Sequence, residues 1–206
     1  MTDLFTLSIS ALVGGLGGAI YPHLREISTG PQLSVDYKQD EAHFVDFDWI
    51  KPGVGDISAV FIRVKIQNLG VRVAKGVRVF LTDLEKVQDS GTTSAQLHDN
   101  LLLRWPGAPD SEPRDLPRGV DFYADVVSFS KNGPPDWQFR VKETYANHTK
   151  LPKYRGTYRF HILATAENAD PAQCMIDITY DGSWRNVRAV PAYRDPSDRV
   201  TIEIRV

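Results

Sequence analysis

Cysteine is almost absent from this chain, which has one thiol, Cys174, in 206 residues. A single thiol cannot form an intrachain disulfide, and it excludes a structural zinc site built on several thiolates. A strong excess of one charge is also lacking, because 24 basic and 26 acidic residues give a formal net charge of -2. This balance argues against a dedicated nucleic-acid binder and against an acidic solvating tail. We therefore expect no nucleic-acid partner.

Motifs of common catalytic machinery are lacking too. The chain contains neither G-x-S-x-G nor H-E-x-x-H, and its N-terminal glycines match neither G-x-G-x-x-G nor the lysine-containing phosphate loop. Ser128 and Lys131 match S-x-x-K, but that mechanism needs a helix and the surrounding residues alternate like a strand. We predict no catalytic residues and no cofactor. The sequence favours a non-enzymatic protein, and an enzyme whose residues meet only in the fold stays open.

Candidate metal ligands are scattered along the sequence. The five histidines are far apart, and His161 falls on the polar side of a predicted strand, where an exposed imidazole is ordinary. An acidic stretch between residues 36 and 56 offers oxygen ligands, but Asp46-Phe-Asp48 lacks the glycine and the terminal glutamate of an EF-hand loop. Residue spacing therefore predicts no metal site, and only proximity in the fold could create one.

What the sequence does contain, at its start, is a run of nineteen residues without a charged side chain, from Leu4 to Pro22. As a helix, its first eighteen residues would be about 27 Å long, close to the roughly 30 Å of a bilayer's hydrocarbon core. Glycine and hydroxyl residues weaken its insertion, yet Ser10, Gly14 and Gly18 share one helix face in the small-xxx-small pattern of pairing membrane helices. We predict a helical membrane anchor over residues 1–28 that pairs to form a homodimer.

Three other interpretations of this segment stay open: a cleaved signal peptide, a helix packed within the domain, and a glycine-rich ligand loop. A signal peptide begins with basic residues, whereas only Asp3 and the amino terminus precede the apolar run. His23 and Arg25 follow the run, so the positive-inside rule places the C-terminal side in the cytoplasm. The predicted localisation is therefore a single-pass membrane protein with a cytoplasmic domain.

Residues 29–206 alternate apolar and polar residues in eight segments separated by turn signals. One apolar face per segment is typical of antiparallel sheets that pack a core on one side. We predict an all-β domain, an antiparallel β-sandwich with long inserted loops at 85–117 and 130–153, the first of which adds a short strand at 101–105. The eight predicted strands cover 33–37, 60–66, 77–81, 120–126, 139–141, 158–164, 174–180 and 200–204.

Residues 60–81 carry a more specific pattern, in which a strand leads through an Asn-x-Gly turn into a second strand. Asn68 can hydrogen-bond its own turn, Gly70 can take positive φ, and the small Ala74 can re-enter the core. This run resembles the strand, turn, alanine, strand signature of bacterial immunoglobulin-like sandwiches of the CARDB type. The resemblance implies an immunoglobulin-like fold and a role in adhesion, presentation or spacing. A similar hairpin is predicted at 158–180.

Two sets of side chains are candidate binding surfaces. One set is five cations without an acid among them, on the polar side of neighbouring strands. We predict that they form one basic patch, which is either a solvent face balanced by the acidic strands or a surface that attracts anionic headgroups or nucleic acid. The other set is four tryptophans near predicted strand ends, which can cap the core, anchor a protein interface or bind a sugar. The cations are Arg63, Lys65, Arg72, Lys75 and Arg78, and the tryptophans are Trp49, Trp105, Trp137 and Trp184.

These patterns predict a membrane-anchored, non-catalytic β-sandwich that acts as a binding or interaction module, with the membrane and an unidentified protein as its partners. The tether would hold a weak binding face at high local concentration, so modest affinity would suffice. One alternative is an exported sandwich domain that binds carbohydrate through its tryptophans. The other is an enzyme whose site is not visible in the sequence.

Overall fold

The structure is a computed structural model. It describes residues 30–51, 55–88, 91–94, 97, 100–106, 112–132, 137–139 and 155–192. Over these residues the chain is all-β, with one turn of 3₁₀ helix at Trp184–Asn186, and the predicted all-β class is confirmed there. In this part of the chain no helix is long and apolar enough to cross a bilayer. The helix predicted over 1–28, with Ser10, Gly14 and Gly18, lies outside the described residues, as does the strand predicted at 200–204.

Twelve strands form two antiparallel sheets over the described residues. The first sheet contains β1, β2, β3, β8 and β9, and the second contains β4, β5, β6, β7, β10, β11 and β12. In chain order the strands are β1 (Leu33–Asp36), β2 (Phe44–Lys51), β3 (Gly55–Asn68), β4 (Ala74–Gln88), β5 (Gly91–Ser94), β6 (Leu101–Leu102), β7 (Arg114–Leu116), β8 (Phe122–Ser130), β9 (Trp137–Phe139), β10 (Gly156–Thr165), β11 (Ala172–Tyr180) and β12 (Arg188–Pro191).

The first sheet is built around β3, which is 14 residues long. β2 and β1 follow one another along one edge of β3, and β8 pairs with its other edge. Ile62, Val64 and Ile66 are fully buried, while Arg63 and Lys65 between them point to the opposite face of the sheet. This is the alternation that the period-two pattern predicts. β2 is a strand that the sequence analysis missed.

The second sheet is built around β4 and β10. The order β12-β11-β10-β4 places β10 on one edge of β4, and β5, β6 and β7 pair in turn along its other edge. β10 and β11 pair as the antiparallel hairpin predicted at 158–180. The segment predicted as an inserted loop at 85–117 contains the end of β4 and three short strands, of which β6 lies within the short strand predicted at 101–105. These short strands cover an edge that would otherwise present unpaired backbone groups.

β3 and β4 are consecutive in the chain but belong to different sheets. Residues 69–73 therefore carry the chain from one sheet to the other, and the two strands are not the neighbours that the sequence predicts. Ala74 is fully buried where β4 begins, as predicted for the point at which the chain re-enters the core. This crossover places an irregular loop at one end of the domain.

One hydrophobic core lies between the two sheets. Buried side chains of both sheets belong to a single cluster. Phe129 of β8 contacts Tyr180 of β11 across the interior, with ring centroids 5.1 Å apart. β1 also lies against β10 and β11. The two sheets thus pack in a sandwich-like arrangement, with the side chains of their inner faces in contact.

Candidate functional site

One end of the domain carries a concentration of exposed aliphatic side chains. Five large hydrophobic side chains of the described residues are exposed, and four of them lie in two loops at this end: Leu69 at 53%, Val71 at 56%, and Val73 and Val120 at 41% each. We call these four residues the apolar tip. Single exposed aliphatic side chains are ordinary, whereas large contiguous apolar patches are typical of surfaces that contact another apolar surface. The fifth, Val190, lies on the edge strand β12.

Two loops that are distant in sequence build the apolar tip. The first, residues 69–73, connects β3 to β4, and the second, residues 117–121, connects β7 to β8. Asn68 and Arg118 form an isolated parallel bridge, and the Gly119 N–H donates to the Asn68 carbonyl oxygen at 3.2 Å. The two loops are therefore held together by main-chain contacts at their bases.

Asn68 fixes the first loop from the β3 side. Its side chain is fully buried, and Oδ1 accepts hydrogen bonds from the N–H groups of Gly70 at 3.0 Å and Gln32 at 3.1 Å. Nδ2 donates to the carbonyl oxygens of Arg72 at 2.6 Å and Leu116 at 3.0 Å. All four hydrogen-bonding positions of the amide are thus used. The predicted hydrogen bond of Asn68 to its own turn is confirmed.

Gly70 is needed for space rather than for an unusual backbone angle. Its φ lies outside the positive region, so the predicted positive φ is wrong. A Cβ at this position would lie 2.1 Å from the carbonyl oxygen of Gly30 and 2.5 Å from the backbone nitrogen of Gln32. The backbone of residues 30–32 runs directly against the loop, since the Val71 N–H donates to the Gly30 carbonyl at 3.2 Å. Only glycine permits this close approach.

Asn168 fixes the same loop from the β4 side. It lies in the turn between β10 and β11, where Nδ2 donates to the Val73 carbonyl at 3.0 Å and Oδ1 accepts from the Lys75 N–H at 2.8 Å. The Glu167 N–H adds a bond to the Lys75 carbonyl at 3.0 Å. Because hydrogen bonds fix both ends of the loop, its backbone has a defined conformation that leaves its aliphatic side chains exposed.

Positive charge accompanies the apolar tip. Arg72 and Arg118 are exposed, and residues 69–73 and 117–120 include no acidic side chain. The neighbouring acids are engaged elsewhere: Asp121 accepts a hydrogen bond from the Gln67 side chain, and Asp115 accepts one from the backbone of β4 at 2.9 Å. An apolar surface with cations beside it is complementary to an interface that presents anionic groups above hydrocarbon.

The five cations predicted to form one basic patch are divided between the sheets. Four of the five cations lie on β3 and β4, which belong to different sheets. These cations alternate with core residues, so those on β3 point outward on one side of the sandwich and those on β4 point outward on the other side. On the first sheet the Arg63 Nε donates to the buried Asp125 carboxylate at 2.6 Å. Acids of β8 and its preceding loop thus balance that face. Arg63 and Lys65 lie on β3, and Lys75 and Arg78 lie on β4. Arg72 lies in the loop of residues 69–73, which we call the tip loop.

Trp105 is part of the core and not of an exposed interface. It is 3% exposed, and its Nε1 donates to the Glu112 carbonyl at 2.9 Å while the Arg114 guanidinium lies 5.4 Å above its ring. This is the core-capping role, one of the three that the sequence predicts for the tryptophans. Trp49 lies on β2 and Trp137 on β9, and their side chains fall outside what the structure describes.

Lys131, the lysine of the S-x-x-K match, forms ion pairs and lies over the ring of Trp184. The Lys131 side chain is 9% exposed, bonds the carboxylates of Asp46 and Asp48, and places its Nζ 5.1 Å from the Trp184 ring centroid. The hydrogen bond to Asp46, followed by that to Asp48, raises the pKa of Lys131. A lysine held in its charged form cannot remove a proton from a serine, and Ser128 lies on a strand. Lys131 thus joins the end of β8 to β2 through its ion pairs, and Ser128 and Lys131 do not form a nucleophilic site.

His43 and Asp40 form a second pair that resembles catalytic machinery. The His43 ring is 1% exposed, its Nδ1 lies 2.5 Å from Asp40 Oδ1, and it packs edge-on against Tyr37 and Tyr123. The hydrogen bond from His43 holds the pKa of Asp40 below its usual value. An Asp–His pair can orient a general base. Here the whole His43 side chain is buried between Tyr37 and Tyr123, so a substrate cannot reach the second ring nitrogen.

The apolar tip was missed because its residues were assigned to a turn and to the start of a strand. Turns are usually polar, so the three aliphatic residues in 69–73 were the sequence feature that could have indicated an exposed apolar surface. Val120 was assigned to the core face of a predicted strand, but β8 begins at Phe122 and Val120 is exposed. A comparison of the chain with known protein families and with curated proteins finds no match to either.

Proposed function

We propose that this chain is a membrane-tethered, non-catalytic β-sandwich that acts as an interaction module at a lipid surface. The observation that carries the proposal is the position of the apolar tip. The tip loop is hydrogen-bonded to Gly30 and Gln32, which follow the uncharged N-terminal run in the chain. The exposed aliphatic side chains therefore lie where the predicted anchor joins the domain.

Chain length supports this arrangement. The uncharged run ends at Pro22, and the eight residues from there to Gly30 can span at most about 28 Å. If the run is embedded in a bilayer, the tip stays within that distance of its surface. Complete burial of an exposed valine or leucine side chain contributes about 1.5–3 kcal/mol. Four half-exposed side chains supply a few kcal/mol by the same measure, enough to orient a tethered domain.

The finer features of the proposal follow from the sequence. The fold is an immunoglobulin-like sandwich of the CARDB type, supported by the two antiparallel sheets and by the Asn68 turn between β3 and β4. The domain lies on the cytoplasmic side, and the anchor pairs through Ser10, Gly14 and Gly18 to form a homodimer. A protein partner then binds the faces that the tip leaves free, aided by the high local concentration that tethering produces.

The described tryptophans give the carbohydrate-binding alternative little support. A sugar needs an accessible aromatic face, whereas Trp105 is buried and Trp184 has the Lys131 and Arg185 side chains over its ring at 5.1 and 5.0 Å. The enzyme alternative is not supported by His43 or Lys131, because neither side chain is accessible as a general base. Both alternatives become outcomes of the experiment.

The test is fractionation of cells that express the full chain. We expect the protein to stay in the membrane pellet after alkaline carbonate extraction and to give no signal on a glycan array. In a membrane-helix association reporter, Gly14→Ile and Gly18→Ile should reduce the signal, and Leu12→Ile, on another face of the helix, should not. Processed protein in the culture medium that binds glycans would replace the proposal with the carbohydrate-binding alternative.

A further inference from the structure

Three metal-ligating side chains meet on the outer face of the second sheet, although they are dispersed in the sequence. Asp83 and Glu85 are two residues apart on β4 and lie on the same face, with the fully buried Leu84 between them. His161, on β10, is the direct partner of Asp83 in the strand register. Two strands thus present two carboxylates and one imidazole to a common point.

A β-bulge produces this juxtaposition. The register between β4 and β10 shifts between His161 and Ile162, where the partner residue changes from Asp83 to Leu81. The extra residue is Thr82, whose Oγ1 donates to the His161 carbonyl oxygen at 3.2 Å. Bulges locally re-aim side chains and are common next to functional sites. Here the bulge changes the register at the very pair that brings an imidazole beside a carboxylate.

The three side chains lie close enough together to share one ion after small rotations. One ligand atom from each of the three residues lies within 4.8 Å of the others, and His161 Nε2 is 3.4 Å from Glu85 Oε1. The His161 and Glu85 side chains are only 25% and 22% exposed. A cation at this point would lie among partly buried ligands, where its attraction to the carboxylates is less screened by solvent than at an open surface.

His161 provides an independent observation. Its Nε2 atom is covered by protein and has no hydrogen-bond partner. A buried ring nitrogen without a partner costs free energy, and a metal ion bound by its lone pair would remove that cost. The nitrogen lies 3.4 Å from the Glu85 carboxylate oxygen without a hydrogen bond, a separation that two ligands of one ion can have.

Arg159 is the cation that could compete for Glu85, because the two residues are partners in the strand register. Its guanidinium is bound elsewhere: Nε and Nη2 donate to the two carboxylate oxygens of Asp177 at 2.8 and 2.9 Å. This bidentate pair is the strongest geometry for an arginine and a carboxylate. The arginine's hydrogen bonds are therefore made to β11, although the charge of Glu85, after the hydrogen bond to Asp177, also contributes to the raised pKa of Arg159.

We propose that Asp83, Glu85 and His161 bind one divalent transition-metal ion of the zinc class. Two carboxylates neutralise its charge, and the imidazole selects zinc-class ions over magnesium and calcium, which prefer sites made of oxygen ligands alone. Three protein ligands leave a coordination position for water or for a group from a partner. The ion would join β4 to β10 on the outer face, and this proposal does not depend on membrane attachment.

The test is metal titration of the full-length protein in detergent after treatment with a chelator. Calorimetry should show one Zn²⁺ ion per chain, and Co²⁺ should give visible absorption from the bound ion. His161→Gln and Glu85→Gln should each weaken Zn²⁺ binding at least tenfold, whereas Asp170→Asn, an exposed acid in the turn between β10 and β11, should leave it unchanged. Millimolar Mg²⁺ should neither compete nor raise the thermal midpoint, which Zn²⁺ should raise by binding the folded state.

Circular dichroism of the metal-free protein shows whether each variant is folded. Since the two ligand variants test the site independently, one folded variant is sufficient to test the proposal. The proposal is overturned if Zn²⁺ does not saturate at one ion per chain. It is also overturned if a folded His161→Gln or Glu85→Gln variant binds Zn²⁺ as tightly as the natural chain, or if Mg²⁺ displaces Zn²⁺ at equal concentration.

Discussion

The side-chain oxygen of Asn68 accepts a hydrogen bond from the backbone N–H of Gly70 at 3.0 Å, across the turn that carries the chain from one sheet to the other. The same oxygen binds Gln32, so one buried amide fixes both the tip loop and the segment that leads into the domain. Asn68 therefore links the crossover between the sheets to the position of the apolar tip.

Replacement of Asn68 by alanine should lower the free energy of unfolding by about 2–4 kcal/mol, because buried backbone groups would lose their partners. The matched control is Asn168→Ala, whose two hydrogen bonds to the same loop are exposed; it should cost about 1 kcal/mol or less. Denaturant unfolding followed by circular dichroism measures both. Equal losses for the two variants would contradict the central role of Asn68.

Replacement of Gly70 by alanine should be more damaging than the same change at Gly119. A Cβ on Gly70 would lie 2.1 Å from a backbone oxygen, which cannot move without displacing residues 30–32, so we expect a loss of at least about 3 kcal/mol. Gly119 has φ of +71° but open space around it, and alanine there should cost about 1–2 kcal/mol. Thermal unfolding of both variants tests this order, and the reverse order would contradict it.

Cys174 is half-buried, and its thiol should react slowly in the folded protein. Burial, with a smaller contribution from Asp36 of the facing sheet, raises the pKa of its thiol to about 12. At pH 8 the thiolate fraction is then on the order of 1 in 10,000, and the thiolate is the reactive form. Reaction with an aromatic disulfide reagent should be at least about 100-fold slower than in denaturant. Val190→Cys adds an exposed thiol as an internal reference, and equal rates for the two thiols would contradict this packing of the sheets.

Tyr37 should make the folded state sensitive to alkaline pH. Burial, followed by the nearby Asp40 carboxylate, raises the pKa of Tyr37 to about 12, whereas an unfolded tyrosine ionises near pH 10. Tyr37 therefore ionises less readily in the folded state, so the free energy of unfolding should fall by up to about 2–3 kcal/mol as the pH rises from about 10 to about 12, with no effect below about pH 10. Absorbance of phenolate near 295 nm should follow the same titration.

The Tyr37→Phe variant isolates that effect. The Tyr37 hydroxyl is buried without a hydrogen-bond partner, so its removal should leave stability at pH 7 unchanged or slightly higher. Between about pH 10 and 12 the variant should lose less stability than the natural chain. Parallel pH profiles for the two proteins would show that Tyr37 is not the group responsible.

Local alternation was enough to find the core strands but not their arrangement. Ile62, Val64 and Ile66 were placed on the core face of β3 from the period-two pattern alone, and all three are fully buried. β2 was not among the predicted strands although Phe44–Lys51 also alternates, because its aspartates were considered only as possible ligands of an ion. Whether the chain turns back within a sheet or crosses to the other depends on contacts such as the Asn68–Leu116 hydrogen bond, which join residues distant in sequence.

The candidate sites show the same limit. His161 was correctly placed on the polar side of a strand, but its neighbour Asp83 is 78 residues away in the chain and is positioned by a bulge. Val71 and Val73 were visible as aliphatic residues in a turn, and their exposure could have been inferred from that. Their position beside Gly30 could not, since it follows from the backbone approach at Gly70.

The most direct test of the account is the depth of the apolar tip in a membrane. In a Cys174→Ala background, Val71→Cys of the full-length protein would be labelled with an environment-sensitive fluorophore and reconstituted in vesicles that contain anionic lipid. Val190→Cys, an exposed valine away from the tip, is the matched control. We predict that quenchers attached to the lipid acyl chains quench the label at position 71 at least several-fold more than the label at 190. Equal quenching at the two positions, with both labels open to a water-soluble quencher, would contradict the proposal that the tip rests on the bilayer.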